Sequence, residues 1–458
     1  MAFTKMGRSC PGSRYLGFLI LALILATLSK GWAQAGRMPE DVPADAAKRA
    51  AIIDSISADL NKTYIFLDVA EKMERHLRDR LKNGDYDDLV TVAEFARILT
   101  EDLQSISHDL HLGVRYIDPE RMAEMTAERE PEDAQARRMT ELARTNFDFK
   151  KVEILPGNIG YLRFDSFIGA EYAGPTAIAA MNFLAHCKAL IIDLRNNGGG
   201  DPSLIQLITG YFFEEPVHLN SFYIRQSGTT KQFWTAAYVE GPRMPDTDLY
   251  VLTSGYTFSG AEEFSYNLKN LERATIVGDT TGGGAHPVAP ALYPELNVML
   301  RVPYGRAINP ISGTNWEGTG VAPDLVVPEK EALDYAYMLA LQKIKEHETD
   351  EDAIFLADWN LVRLESQLHP VAIDVSVLES YSGVYGPRRL TVEEGQLYYQ
   401  REGRSKLAAI PMGDRLFRFE EADYFRIEVV LDEAGDPIKL IGHYNDGRQD
   451  ESLRSEAD

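Results

Sequence analysis

A serine at the corner between a strand and a helix is the first place in this chain where residue types and spacing suit chemistry. Residues 248–253, Asp-Leu-Tyr-Val-Leu-Thr, carry the pattern of a buried strand, and Ala261 to Asn270 reads as a helix. Between them runs Ser254-Gly-Tyr-Thr-Phe-Ser-Gly260. Such a corner presents a hydroxyl at a helix N-terminus, where backbone N–H groups are unpaired and point outward. Ser259 stands there, followed by Gly260; taken alone it would read as an ordinary N-cap. A second stretch gives it a companion. Asp193-Leu-Arg-Asn-Asn-Gly-Gly-Gly200 runs a buried strand into three glycines, which exposes N–H groups that no Cβ can block. A phosphate loop would continue with Lys-Ser/Thr, which is absent here. The other use is an oxyanion hole, in which backbone N–H groups meet a developing negative charge.

The elements that must position these residues follow from periodicity. Ile52, Ile53, Ile56 and Leu60 recur at helical spacing, as do Val69, Met73, Leu77 and Leu81, and Phe95, Ile98, Leu99 and Leu103. Residues 36–118 are therefore expected to form a helical N-terminal domain that ends in a strand from Leu112, just after His111. Residues 119–149 are polar and charged and read as an exposed connection. Residues 150–348 alternate strand and helix, which implies a mostly parallel sheet covered on both faces. Residues 349–376 read as an acidic linker. Residues 377–458 carry short alternating segments separated by Gly, Asp and Pro turns, a small antiparallel β module.

Length and charge set further bounds. The chain has 458 residues and 45% apolar content, enough for two or three domains with packed cores. Residues 1–35 read as a secretory signal peptide: Lys5, Arg8 and Arg14, then the apolar run Leu16 to Leu28, then Ala33-Gln-Ala35. The run is short for a membrane span, and an uncleaved anchor is the alternative. Loss of this segment takes away four positive charges and moves the net charge from −23 to −27. Such a chain is repelled by nucleic acid and by anionic membranes, so neither is an expected partner. Cys187 would then be the lone cysteine, which excludes an intramolecular disulfide. No ligand spacing for a metal is evident, and no cofactor is expected.

Four ordered motifs resemble the tail-specific (C-terminal processing) serine peptidases and their relatives, tricorn protease and interphotoreceptor retinoid-binding protein. These are Asp193 to Gly200; Thr257-Phe-Ser-Gly-Ala-Glu262; Arg273-Ala-Thr-Ile-Val-Gly-Asp-Thr-Thr-Gly-Gly-Gly284; and Gly318-Thr-Gly-Val-Ala-Pro-Asp324. The resemblance spans roughly residues 50–345. It implies a crotonase-like (Clp-protease-like) spiral α/β core and an exported peptidase, periplasmic or secreted, acting on peptide or protein substrates, with an oligomer left open. It also implies Ser259 as nucleophile and Gly199 or Gly200, with Gly260, as oxyanion donors. The chain departs from the tail-specific pattern at Gly284, where that group carries a lysine base. The tricorn-like branch uses a histidine from an upstream Asp-x-His motif instead, matched here by Asp109-Leu-His111, with Leu110 in place of that branch's serine. Glu317 occupies the position of its supporting acid. His108 is the alternative base. A neutral imidazole accepts a serine proton at neutral pH, so activity is expected to rise through a pKa of roughly 6 to 7. The second reading, from a different class, is a non-catalytic binder of retinoids or fatty acids on the same fold.

Overall fold

The carboxylate of Asp45 accepts the Lys48 N–H at 2.7 Å and starts the first helix, α1 (Ala46–Thr63). It is followed by α2 (Leu67–Asn83) and α3 (Val92–Ser107). Gly84, at φ 81°, ends α2 in the left-handed conformation that favours glycine. The computed structural model describes residues 42–127 and 131–455, so the expected signal segment lies outside the described residues. Ile52, Ile53, Ile56, Leu60, Met73, Leu77, Phe95, Leu99 and Leu103 meet in one buried cluster. Full burial of each such side chain contributes about 1.5–3 kcal/mol. The same cluster takes in Leu112 and Val114, and Val298, Leu300 and Val302 from far along the chain. The link is a strand: β1 (Gly113–Tyr116) pairs antiparallel with residues 298–301. The N-terminal domain is thus locked to the rest through the strand that follows His111.

Residues 119–149 hold two short helices, α4 (Pro119–Thr126) and α5 (Pro131–Ala143), ahead of the first core strand. That strand is β2 (Phe149–Leu155), followed by β3 (Ile159–Phe164), α6 (Ala170–Leu184), β4 (Ala189–Asp193) and α7 (Pro202–Thr209). The chain continues through β5 (His218–Ile224), β6 (Thr229–Trp234), β7 (Asp248–Thr253), α8 (Gly260–Asn270) and β8 (Thr275–Gly278). Then come β9 (Val288–Tyr293), β10 (Val298–Pro303), β11 (Gly305–Ile308) and β12 (Leu325–Val326).

The main sheet has the order β12-β8-β7-β4-β3-β2, parallel except for the β2–β3 hairpin. Its strands alternate between two cores. Leu190, Ile192 and Val251 pack with α6, α7 and α8, while Ile191, Tyr250 and Leu252 pack with helices that come later. Coverage on both faces is why these strands read as continuous apolar runs. Two small sheets, β1-β10-β9 and β11-β5-β6, are also present.

The second face is covered by α9 (Ala332–His347) and α10 (Glu351–Leu368). Residues 351–368 therefore differ from the linker expected there. Ala357 and Leu364 join the core under α9, while Phe355 and Leu356 stay exposed, so no single apolar stripe marks the helix. After α11 (Val375–Tyr381) the chain forms two antiparallel sheets, four strands between Gly383 and Ala408 and five between Ile410 and Leu453, around their own core of Tyr385, Phe417, Ile427 and Leu440. The architecture is the expected one: a crotonase-like α/β core, N-terminal helices and a C-terminal antiparallel β module. Among the described residues no helix is long and apolar enough to cross a membrane.

Candidate active site

Ser259 lies between β7 and α8 with φ 54° and ψ −120°. A non-glycine residue held there stores on the order of 1–3 kcal/mol of backbone strain and needs neighbours that fix it. They are present. The Ser259 N–H donates to Glu262 Oε2 at 2.8 Å, and the Phe258 N–H donates to the Asn197 carbonyl at 3.2 Å. The Thr257 hydroxyl donates to the Leu194 carbonyl at 2.9 Å, and that of Ser254 to the Arg195 carbonyl at 2.6 Å. The corner carrying the serine is thereby sewn to the loop after β4.

Glu262 is the knot of the arrangement. It is fully buried and also accepts the Gly283 N–H at 2.7 Å, the Gly284 N–H at 2.8 Å and the Thr281 hydroxyl at 2.5 Å. Burial pushes its carboxyl above the usual range, against the pull of these donors. One acid in the first turn of α8 therefore ties Ser259 to the glycine-rich segment after β8. The match Thr-x-Ser-Gly-x-Glu ends on that residue, and its function in the corner is structural.

The glycine loop presses against the same corner. The side-chain oxygen of Asn197 accepts the Gly199 N–H at 2.9 Å, so that donor is already engaged. Gly199 is at φ 95°, and a Cβ there would stand 2.5 Å from the Gly260 nitrogen and 2.8 Å from Cβ of Ser259. A Cβ on Gly260 would stand 2.9 Å from the Gly200 nitrogen. The N–H groups of Gly200 and Gly260 thus lie side by side next to Ser259. Neither enters a hydrogen bond among the described residues.

His111 and His108 part company in the structure. His108 is the exposed left-handed cap of α3, at φ 55°. His111 is only 4% exposed, and its ring lies 4.6 Å from that of Phe258, the residue before Ser259. The Asp109 carboxylate accepts the His111 backbone N–H at 3.0 Å and fixes the turn into β1. Burial pushes the imidazole pKa down to about 4, against the pull of Asp109. A Cβ on Gly284 would stand 2.6 Å from Cε1 of His111 and would also strike Phe258. The imidazole therefore occupies the space into which any side chain at position 284 would grow.

A ring nitrogen of His111 and one oxygen each of Asp109 and Glu317 lie within 4.8 Å of one another. The Nδ1 of His111 and the Oε1 of Glu317 are both buried and without hydrogen-bond partners. The other oxygen of Glu317 accepts the Ala285 N–H at 2.6 Å and the His286 N–H at 3.2 Å. Burial, and then the charge of Asp109, push the Glu317 carboxyl up to about 7.

His286, buried and within this cluster, is a residue that motif reading passes over. Its Nδ1 lies 2.7 Å from Asp109 Oδ2 and 3.5 Å from Glu317 Oε2. Burial works against its charge, but the hydrogen bond to Asp109 and the two acidic neighbours outweigh that and hold its pKa above the ordinary value. Phe66 covers it edge-on, with ring centres 5.7 Å apart. The one available sequence signal is its place directly after the Gly282 to Ala285 turn.

Comparison with known proteins bears on the family. Residues 158–327 match the model for peptidase family S41, and residues 40–156 match the N-terminal domain of peptidase S41 in eukaryotic IRBP. The tricorn protease of Thermoplasma volcanium is 30% identical over 146 residues, which is 31% of this chain but only 12% of that protein's length. Among solved structures, the photosystem II D1 C-terminal processing protease superposes with a TM-score of 0.41 at 14% identity, covering 62% of this chain and 93% of that one. A lipoprotein from Streptococcus agalactiae gives 0.43 at 16% identity, covering 68% and 100%. Two adjoining matches, together spanning more than half of the chain, are to one family: the chain belongs to peptidase family S41.

Proposed function

We propose that this chain is an exported serine peptidase that cleaves peptide bonds through Ser259, His111 and Glu317. Ser259 Oγ attacks the peptide carbonyl carbon while His111 takes its proton. The oxyanion is met by the N–H groups of Gly200 and Gly260, the free pair in the loop where Gly199 is already engaged. His111 returns the proton to the leaving amine, and water then releases the acyl group by the same route in reverse. Glu317 orients the imidazole and balances its charge when it is protonated. Peptide or protein is the substrate class, and the signal-like segment at residues 1–35 supports export.

The observation that carries the reading is the imidazole of His111. It is packed on the residue before Ser259, with a free Nδ1 and the acids Asp109 and Glu317 close by. Intact-mass labelling with a fluorophosphonate tests it. The wild-type chain should gain one adduct, and Ser259→Ala should gain none and hydrolyse no peptide while keeping its fold. Turnover by well-folded Ser259→Ala would remove the assignment. Tight retinoid or fatty-acid binding without hydrolysis by the wild type would favour the binding-protein reading instead.

A further inference from the structure

We infer that Asp109, His111 and Glu317 also form an inhibitory site for a divalent cation of the zinc type. The inference rests on the peptidase reading in one respect, that His111 is the base which the ion removes. The donor set is one imidazole and two carboxylates, each offering an atom within 4.8 Å of the others. Two ligands of a tetrahedral ion bonded at about 2.1 Å stand about 3.4 Å apart, so small side-chain rotations close the set around an ion.

Two independent features point to a ligand there. The Nδ1 of His111 is buried without a partner, on a side chain that is 4% exposed, and the Oε1 of Glu317 is likewise buried and unpartnered. A buried donor or acceptor left unmet is costly, and a cation would satisfy both atoms at once. The groups behind the ligands are also in place. The His286 Nδ1–H donates to Asp109 Oδ2 at 2.7 Å, the His111 N–H holds Asp109 Oδ1 at 3.0 Å, and the Ala285 N–H holds Glu317 Oε2 at 2.6 Å. Each carboxylate is thereby oriented yet keeps a lone pair for the ion. Mixed nitrogen and oxygen donors suit zinc and its neighbours, whereas calcium asks for six to eight oxygens.

The consequence follows from the imidazole itself. A neutral ring has one lone pair, on the nitrogen that carries no proton. An ion on Nδ1 takes that lone pair and leaves the proton on Nε2, which then cannot accept a proton from Ser259. Binding is predicted to be reversible and to switch hydrolysis off.

The test uses the full untagged chain. In equilibrium dialysis against zinc chloride, wild type and Ser259→Ala should each bind one ion. Glu317→Gln, an isosteric change at a ligand, should weaken binding by more than about 10-fold, the least that loss of a group behind a ligand costs. X-ray absorption on the wild-type complex should show a single imidazole with oxygen ligands, a readout that needs no variant. One equivalent of zinc should slow fluorophosphonate labelling of Ser259 by about 100-fold, and EDTA should restore it. No bound zinc, a shell of several imidazoles, or unchanged affinity in Glu317→Gln would overturn the site. Labelling of metal-free protein that binds no zinc sinks the metal site alone. Zinc bound as described, with no labelling of the metal-free chain, sinks the peptidase reading alone.

Discussion

The Nδ1–H of His286 donates a 2.7 Å hydrogen bond to Oδ2 of Asp109, joining two loops that lie 177 residues apart in sequence. One loop carries Asp109 and His111 out of the helical domain, and the other follows the glycine turn that Glu262 holds under Ser259. The bond thus links the candidate base to the candidate nucleophile through groups that need not react.

His286→Ala should therefore damage the site from behind. A buried hydrogen bond to a charged partner contributes about 1.5–3 kcal/mol, and thermal unfolding should register a loss of that order. For a positioning residue, kcat should fall while KM changes little. An equal rise in KM with kcat unchanged would place His286 in substrate binding instead.

Gly284 makes a different test. A Cβ there meets His111 and Phe258, so Gly284→Ala should cost about 1–3 kcal/mol of stability and most of the activity. The informative double variant is Gly284→Lys with His111→Ala, which restores the residue that the tail-specific pattern would have. It should stay inactive, because Glu262 holds the segment by the N–H groups of Gly283 and Gly284 for the support of the corner, with no arrangement made for a buried ammonium. Recovery of hydrolysis would mean the lysine route is open on this scaffold.

Ser259 is held at φ 54°, where glycine is far less strained. Ser259→Gly should raise stability relative to Ser259→Ala, which keeps a Cβ in the strained conformation, by about 0.5–1 kcal/mol. Equal melting temperatures for the two variants would show that the corner relaxes when the hydroxyl is lost.

Much of this candidate site is legible in the sequence. The strand, turn and helix around Ser259 follow from a continuous apolar run, small residues and a helical repeat, all of them local signals. The helix pattern at 52–60 named residues that are fully buried. What escaped was non-local. Nothing near His286 in sequence announces Asp109, and the engagement of the Gly199 N–H depends on where the Asn197 side chain turns. Residues 351–368 escaped for another reason: their apolar residues are spread around the helix, with Ala357, Leu361 and Leu364 buried but Phe355 and Leu356 exposed, so no single apolar stripe marks it.

That helix changes where the chain should be cut. Truncation after Asp350 would strip α10 from the core beneath α9 and leave Ala340 and Leu341 in that core less covered. Truncation after residue 371 keeps α10 but parts it from the β module, where Trp359 Nε1–H donates to the Asp423 carbonyl at 3.1 Å and Arg426 stacks 3.7 Å from the Trp359 ring centre. The longer fragment should unfold cooperatively, and the shorter one should be aggregated or molten by calorimetry. Cooperative unfolding of both would make α10 an appendage of the β module.

The pH profile discriminates the mechanism most directly, and burial shifts it from the sequence expectation. His111 is pushed down to about 4, so its imidazole stays neutral and able to accept a proton well below the range of 6 to 7 expected of an exposed histidine. Glu317 moves the other way, to about 7, and takes up a proton as the pH falls through neutrality. A protonated acid no longer balances an imidazolium. kcat/KM should therefore fall in two steps as the pH drops, partly near 7 and almost completely near 4. Glu317→Gln should remove the upper step and keep the lower. Stability carries the same signature with opposite signs. His111, lowered in the folded state, contributes stability that is present above its ordinary value of about 6.5 and lost as the pH falls toward 4. Glu317, raised in the folded state, contributes stability that is present below its ordinary value of about 4.5 and lost as the pH rises through 7. Melting temperatures of His111→Ala and Glu317→Gln, measured from pH 4 to 8, should flatten these opposing slopes one at a time. A single activity step at 6 to 7 that survives Glu317→Gln would assign that titration to the histidine and refute the inverted order.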